Sequence, residues 1–198
     1  MPVMYTNRKG RTYYLCKRFS NTGKPYYFFT REAGDNLVDK IPEGYAISES
    51  VNGVVSLTKA RPILLSEREI ECVKTALQRH PQARKYRIDI KPKHITIYEQ
   101  TTPDLQELIK MIEAELGPAH FAREHFVRSA EDYEADAQFT PVLRLVVTNK
   151  EKRRFKGQRM CHFGDVEGWI EIDSDKSIAE LTSALIPILG TDEFYELI

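Results

Sequence analysis

Hydrophobic and polar positions follow two rhythms along this chain. Up to about residue 60 they alternate in short runs broken by turn residues. Thr12-Tyr13-Tyr14-Leu15 and Tyr26-Tyr27-Phe28-Phe29 are runs of β-forming types. Between them stand Asn21, Thr22, Gly23 and Pro25, each suited to a turn for its own backbone reason. After the polar connection REAGDNLVDKIPEGY, two more runs, 45–51 and 54–58, flank Asn52-Gly53. That dipeptide suits a two-residue type I′ turn, which needs positive φ at both positions. The expectation is four antiparallel strands in two hairpins.

From KARP at 59–62 the rhythm changes. Ser66 with Glu69 makes a capping box, and Ile70, Val73, Ala76 and Leu77 recur on one helical face as far as His80-Pro81. Tyr86, Ile88 and Ile90 then alternate with Arg87 and Asp89, and a Lys91-Pro92-Lys93 turn leads into a strand through Ile95 and Ile97. Thr102 is a candidate N-cap with Pro103 at the first helical position, ahead of a stripe through Leu105, Leu108, Ile109, Ile112 and Leu116. In 119–140, FAREHFVRS suits a helix and EDYEADAQ an acidic loop. The segments 142–148, 154–163 and 169–172 predict a strand meander, and Ser177 opens a last helix through Ile178, Leu181, Leu185 and Leu189. DEFYELI adds a terminal turn.

The order is therefore α-β-β-α-loop-β-β-β-α behind a β module. Strands in runs with few helices between them predict an α+β fold with antiparallel sheet and three or four helices. The expected domains are an antiparallel β module at 1–60 and an α+β domain at 61–198.

Composition narrows the class. With 198 residues, 41% hydrophobic and 29% charged, the chain has enough apolar side chains for a real core. The net charge is zero but unevenly spread. Residues 1–62 hold ten Lys/Arg against five Asp/Glu, which makes them +5 and the remainder −5. A basic N-terminal part hints at an anionic partner. No apolar run approaches the ~18 residues of a membrane span, and the start MPVMYTNRKGR lacks the apolar core of a secretory signal. Three widely spaced cysteines, Cys16, Cys72 and Cys161, argue against a disulfide framework and for a cytoplasmic setting.

Candidate chemistry is sparse. Gly23-Lys24 is not a phosphate loop, because Arg18 stands where its first glycine belongs and Pro25 where its hydroxyl residue belongs. His120 and His125 are five apart, off the spacing that puts two ligands on one helical face, and Cys161-His162 point to opposite sides of a strand. Neither a metal nor a cofactor is expected. The stretch FGDVEGWIEIDSDKS lacks EF-hand spacing, and Asp173, Ser174 and Asp175 suit the approach to a helix N-terminus.

Asp89-x-Lys91, with Glu69 and Glu71 on the preceding helix, is similar to the D/E-x-K arrangement of one nuclease superfamily, in which acids hold magnesium and the lysine positions water. A further acid on a neighbouring strand is not evident. Cys161, near Arg159 and His162, is a candidate thiol nucleophile without an assigned partner, and Cys72 beside its helix stripe suits a buried structural role.

One surface is complete as it stands. Arg11, Tyr13, Lys17, Arg18, Lys24 and Tyr26 interleave bases and rings, the combination that grips single strands or enters a groove. Alternation splits them, with Tyr13, Leu15 and Lys17 on one face and Tyr14, Cys16 and Arg18 on the other. A second basic run, Lys150, Lys152, Arg153, Arg154, Lys156 and Arg159, could extend that surface. The pattern favours a non-catalytic binding or adaptor protein, with nucleic acid or another protein as partner and no membrane. The alternative is a hydrolase with a dispersed site at Asp89 and Lys91.

The segments YTNRKGRTYYL, TGKPYYFF, IPEGY and VNGVVSL, with RMCHFG and GWI far downstream, resemble an uncharacterised family of bacterial hypothetical proteins over most of the chain. That resemblance implies no activity, substrate or cofactor.

Overall fold

The structure is a computed structural model that describes residues 1–103, 110, 114, 136–163 and 166–197, with the side chains of 162, 163, 166 and 167 left out. The chain divides into two compact units, Met1–Arg61 with Pro103–Ala137, and Pro62–Thr102 with Gln138–Ile198. The stripe at 105–116, the segments at 119–135, and His120 and His125 lie outside the described residues.

In the first unit, β1 (Met4–Thr6), β2 (Thr12–Phe19) and β3 (Pro25–Thr30) form an antiparallel sheet in the order β1-β2-β3. β4 (Tyr45–Glu49) and β5 (Val55–Lys59) form a separate two-stranded ribbon. Five strands stand where four were expected. β1 covers the near half of one edge of β2, and Asn36–Val38 covers the far half through Lys17 N–H to Asn36 O and Val38 N–H to Leu15 O.

All three hairpin loops close in one way. The glycine N–H returns to the carbonyl three residues back, Gly10 to Asn7, Gly23 to Ser20 and Gly53 to Ser50, each at 2.9 Å. The first residue's side-chain oxygen then takes the N–H four residues on: Asn7 Oδ1 from Arg11, Ser20 Oγ from Lys24, Ser50 Oγ from Val54. Each glycine has φ between 70° and 77°, the left-handed conformation that a three-residue hairpin loop demands at this point. So Asn52-Gly53 does not make a type I′ turn. Among the described non-glycine residues only Arg153 and Asp175 have positive φ, and Asn52 is not one of them.

The second unit is a five-stranded antiparallel sheet in the order β10-β9-β8-β7-β6, built from β6 (Tyr86–Lys91), β7 (His94–Gln100), β8 (Phe139–Asn149), β9 (Arg154–Phe163) and β10 (Val166–Lys176). Helices α1 (Glu67–Gln78) and α2 (Ile178–Leu185) cover one face, and a short α3 (Asp192–Glu196) follows. Both longer helices start where the sequence supplies a reciprocal cap, Ser66 with Glu69 and Ser177 with Glu180. Val73 and Leu77 of α1, Leu181 and Leu185 of α2, and Ile186 close over Ile95, Ile97, Leu143, Leu145 and Phe155 of the sheet. Gly157 permits that approach, since a Cβ there would lie 2.7 Å from Leu185 Cδ1. The fold is α+β with every strand pair antiparallel. Asp173, Ser174 and Asp175 form the bulged end of β10, which leads directly to Ser177, the N-cap of α2. No described helix is long and apolar enough to cross a membrane.

Candidate nucleic-acid interface

The β2–β3 hairpin carries the expected surface, and its register decides which side chains share a face. Lys17 pairs with Tyr27, Arg18 with Tyr26 and Phe19 with Pro25. One face therefore carries Tyr13, Leu15, Lys17, Phe19, Tyr27 and Phe29; the other carries Tyr14, Cys16, Arg18, Tyr26 and Phe28. The base of the hairpin is core, with Leu15 and Cys16 buried. Toward the tip burial fades. Phe19 is 65% exposed and Tyr26 45% exposed.

The six expected contact residues thus part company. Arg18, Lys24 and Tyr26 are exposed near the tip, and Lys17 is half-buried beside them. Lys17 Nζ lies 5.0 Å from the centre of the Phe19 ring, and the Arg18 guanidinium 5.0 Å from that of Phe28. Such cation–ring contacts keep charge next to aromatic surface. Tyr26 and Phe28 lean together, ring centres 5.9 Å apart. Tyr13 is half-buried near the base, under Arg31 at 5.9 Å. Arg11 sits in the first loop with its guanidinium on both Asp136 oxygens, at 2.8 and 3.0 Å, and Lys9 joins the same carboxylate at 3.4 Å. Arg11 and Tyr13 are therefore separate from the tip. Phe19, the most exposed ring of the hairpin, is absent from the expected set; its place as the last strand residue before the Ser20–Lys24 loop was the available signal.

No acid occurs between Thr12 and Thr30, and Lys17, Arg18 and Lys24 make no ion pair with a described residue. The second basic run is different. Arg153 binds Glu69 with both nitrogens of its fork and donates to Leu64 O; Lys156 pairs with Glu171 at 2.8 Å; Arg154 reaches Asp175; and Arg159 is buried on Leu197 O. Those four cations are spent inside the second unit.

Asp89 and Lys91 do share a face of β6, joined at 3.2 Å. Glu69 and Glu71 stand on α1, which packs against the other face of the sheet, so the structure does not bring the four together. Among the described residues no group of three His, Cys, Asp or Glu side chains could hold a metal ion. Cys16 is buried, while Cys72 and Cys161 are half-buried and free. A groove of about 810 Å³ between α1 and α2 is lined by Cys72, His80 and Thr182 among others, but not by Asp89, Lys91 or Cys161.

No family model, curated protein or solved structure matches the chain.

Proposed function

We propose that this protein is a binding protein that contacts single-stranded nucleic acid through the distal half of its β2–β3 hairpin. One observation carries the reading: exposed Phe19 with Lys17 on one face, and exposed Tyr26 with Arg18 on the other, flank the Lys24 loop of a hairpin without a single acid. Flat rings stack on bases regardless of sequence, at about 1–3 kcal/mol per base, and the cations neutralise the phosphates between them. A duplex hides its bases, so rings at a narrow tip suit unpaired strands better. The three free thiols suit a cytoplasmic setting.

The test is fluorescence anisotropy with a labelled oligonucleotide of mixed sequence at low salt. Binding is expected for the wild type, with single strand preferred over duplex, and a Phe19→Ala/Tyr26→Ala double variant should bind at least about tenfold more weakly. Absence of binding to either form at low salt would end the reading.

A further inference from the structure

The face of the five-stranded sheet turned away from α1 and α2 carries a polar row that the hairpin reading does not use. Strand pairing sets Asp89 opposite Thr96, Thr96 opposite Arg144, Arg144 opposite Gln158, and Gln158 opposite Glu171. The lysines of this face have carboxylates: Lys91 lies 3.2 Å from Asp89, and Lys156 2.8 Å from Glu171. Arg87 donates to the carbonyls of Arg84 and Tyr86. Arg144 differs from all of them.

Arg144 is half-buried, and burial disfavours its charged form. Its guanidinium lies over the Trp169 ring at 4.1 Å, and Nε and Nη2 both donate to the neutral Gln158 Oε1, at 3.1 and 2.8 Å. A guanidinium has five N–H donors, so three remain, both on Nη1 and one on Nη2. None of the three meets a described residue. Among the described residues the end of the fork is therefore free, and it is the edge that takes two oxygens of one oxyanion in parallel. Trp169 and Gln158 already hold the plane in place, so a ligand would find the fork oriented.

We propose that Arg144 anchors a binding site for the oxyanion of a small ligand, a phosphate ester or a carboxylate. His94 is diagonally next to Arg144 on this face, one pair along from Thr96. Its imidazole is held below the ordinary histidine range by burial first and by Arg144 and Lys91 next, with Asp89 acting in the opposite sense. An anion on Arg144 offsets that repulsion and draws the His94 midpoint upward. The site lies wholly in the second unit and stands independently of the hairpin.

Trp169 is the only tryptophan in the chain, so its emission reports directly on the stacked guanidinium. The experiment titrates the full chain with inorganic phosphate and, separately, with acetate, at ionic strength held constant with chloride. A saturable change in the ~mM range is expected for one of them, which then names the oxyanion class. Arg144→Gln should weaken it by about tenfold or more, and Arg144→Lys should restore only part, because an ammonium has charge without the fork. A flat response to both anions, or an undiminished response in a folded Arg144→Gln, overturns the proposal. If that variant does not fold, NMR titration of His94 in the wild type decides. A midpoint that rises with the responding anion supports the site, and one that stays fixed refutes it.

Discussion

Glu49 shows how one side chain holds the first unit together. Its carboxylate takes the Tyr5 hydroxyl at 2.8 Å and, from Arg8, both the backbone N–H at 2.9 Å and Nε at 2.8 Å. Burial works to raise its pKa, but these donors together hold it below the ordinary carboxylate value. A folded-state pKa below the unfolded one contributes stability above the unfolded value, about 4.3, and loses it as pH falls through the folded value. Glu49→Gln is therefore expected to lower stability by about 1–3 kcal/mol at pH 7 in urea denaturation, and by clearly less at pH 3. An equal penalty at both pH values would show that the charge is irrelevant.

Gly157 makes a second case at this scale. Its missing Cβ leaves room for Leu185 Cδ1, so Gly157→Ala should overpack the α2 contact and cost about 1–3 kcal/mol. Combined with Leu185→Ala, which empties the same space, the loss should fall short of the sum of the two single variants; strict additivity would place the clash elsewhere.

At the scale of elements, the three glycine loops allow a comparison. A Cβ on Gly23 would meet nothing within 4 Å, whereas one on Gly53 would lie 3.0 Å from Asn7 Nδ2, which donates to Gly53 O at 2.7 Å. Gly23→Ala should thus cost only the left-handed backbone penalty, about 1–2 kcal/mol, and Gly53→Ala measurably more in thermal unfolding. Equal costs would mean that the Asn7 clamp yields freely.

These loops also mark what was legible. The motif Asn/Ser-x-x-Gly occurs at 7–10, 20–23 and 50–53, and only at the last two do β-forming runs on both sides announce a hairpin. β1 escaped because three residues, Met4–Thr6, are too few to show alternation. Asn52-Gly53 has the composition of a two-residue turn, but the Ser50 side chain, two positions earlier, closes the longer loop. Helices α1 and α2 were readable because their caps and apolar stripes are local. Arg144 over Trp169 was not, because it depends on two successive strand registers.

For the whole molecule, charge is the legible quantity and its deployment is not. The +5 of residues 1–62 hints at an anionic partner without saying which cations would meet it. In the structure Arg8 and Arg11 answer Glu49 and Asp136, while Lys17, Arg18 and Lys24 gather toward one hairpin tip without an ion pair to a described residue. That concentration is what the functional reading rests on, and the salt dependence of oligonucleotide binding tests it most directly. Single-strand binding loses about 0.7 in the slope of log K against log salt for each phosphate neutralised, so three cations predict a slope near −2. Arg18→Ala/Lys24→Ala should bring it to about −0.7, whereas Phe19→Ala/Tyr26→Ala should weaken binding with the slope unchanged. A wild-type slope near zero, or one that Arg18→Ala/Lys24→Ala leaves intact, would contradict binding at the hairpin tip.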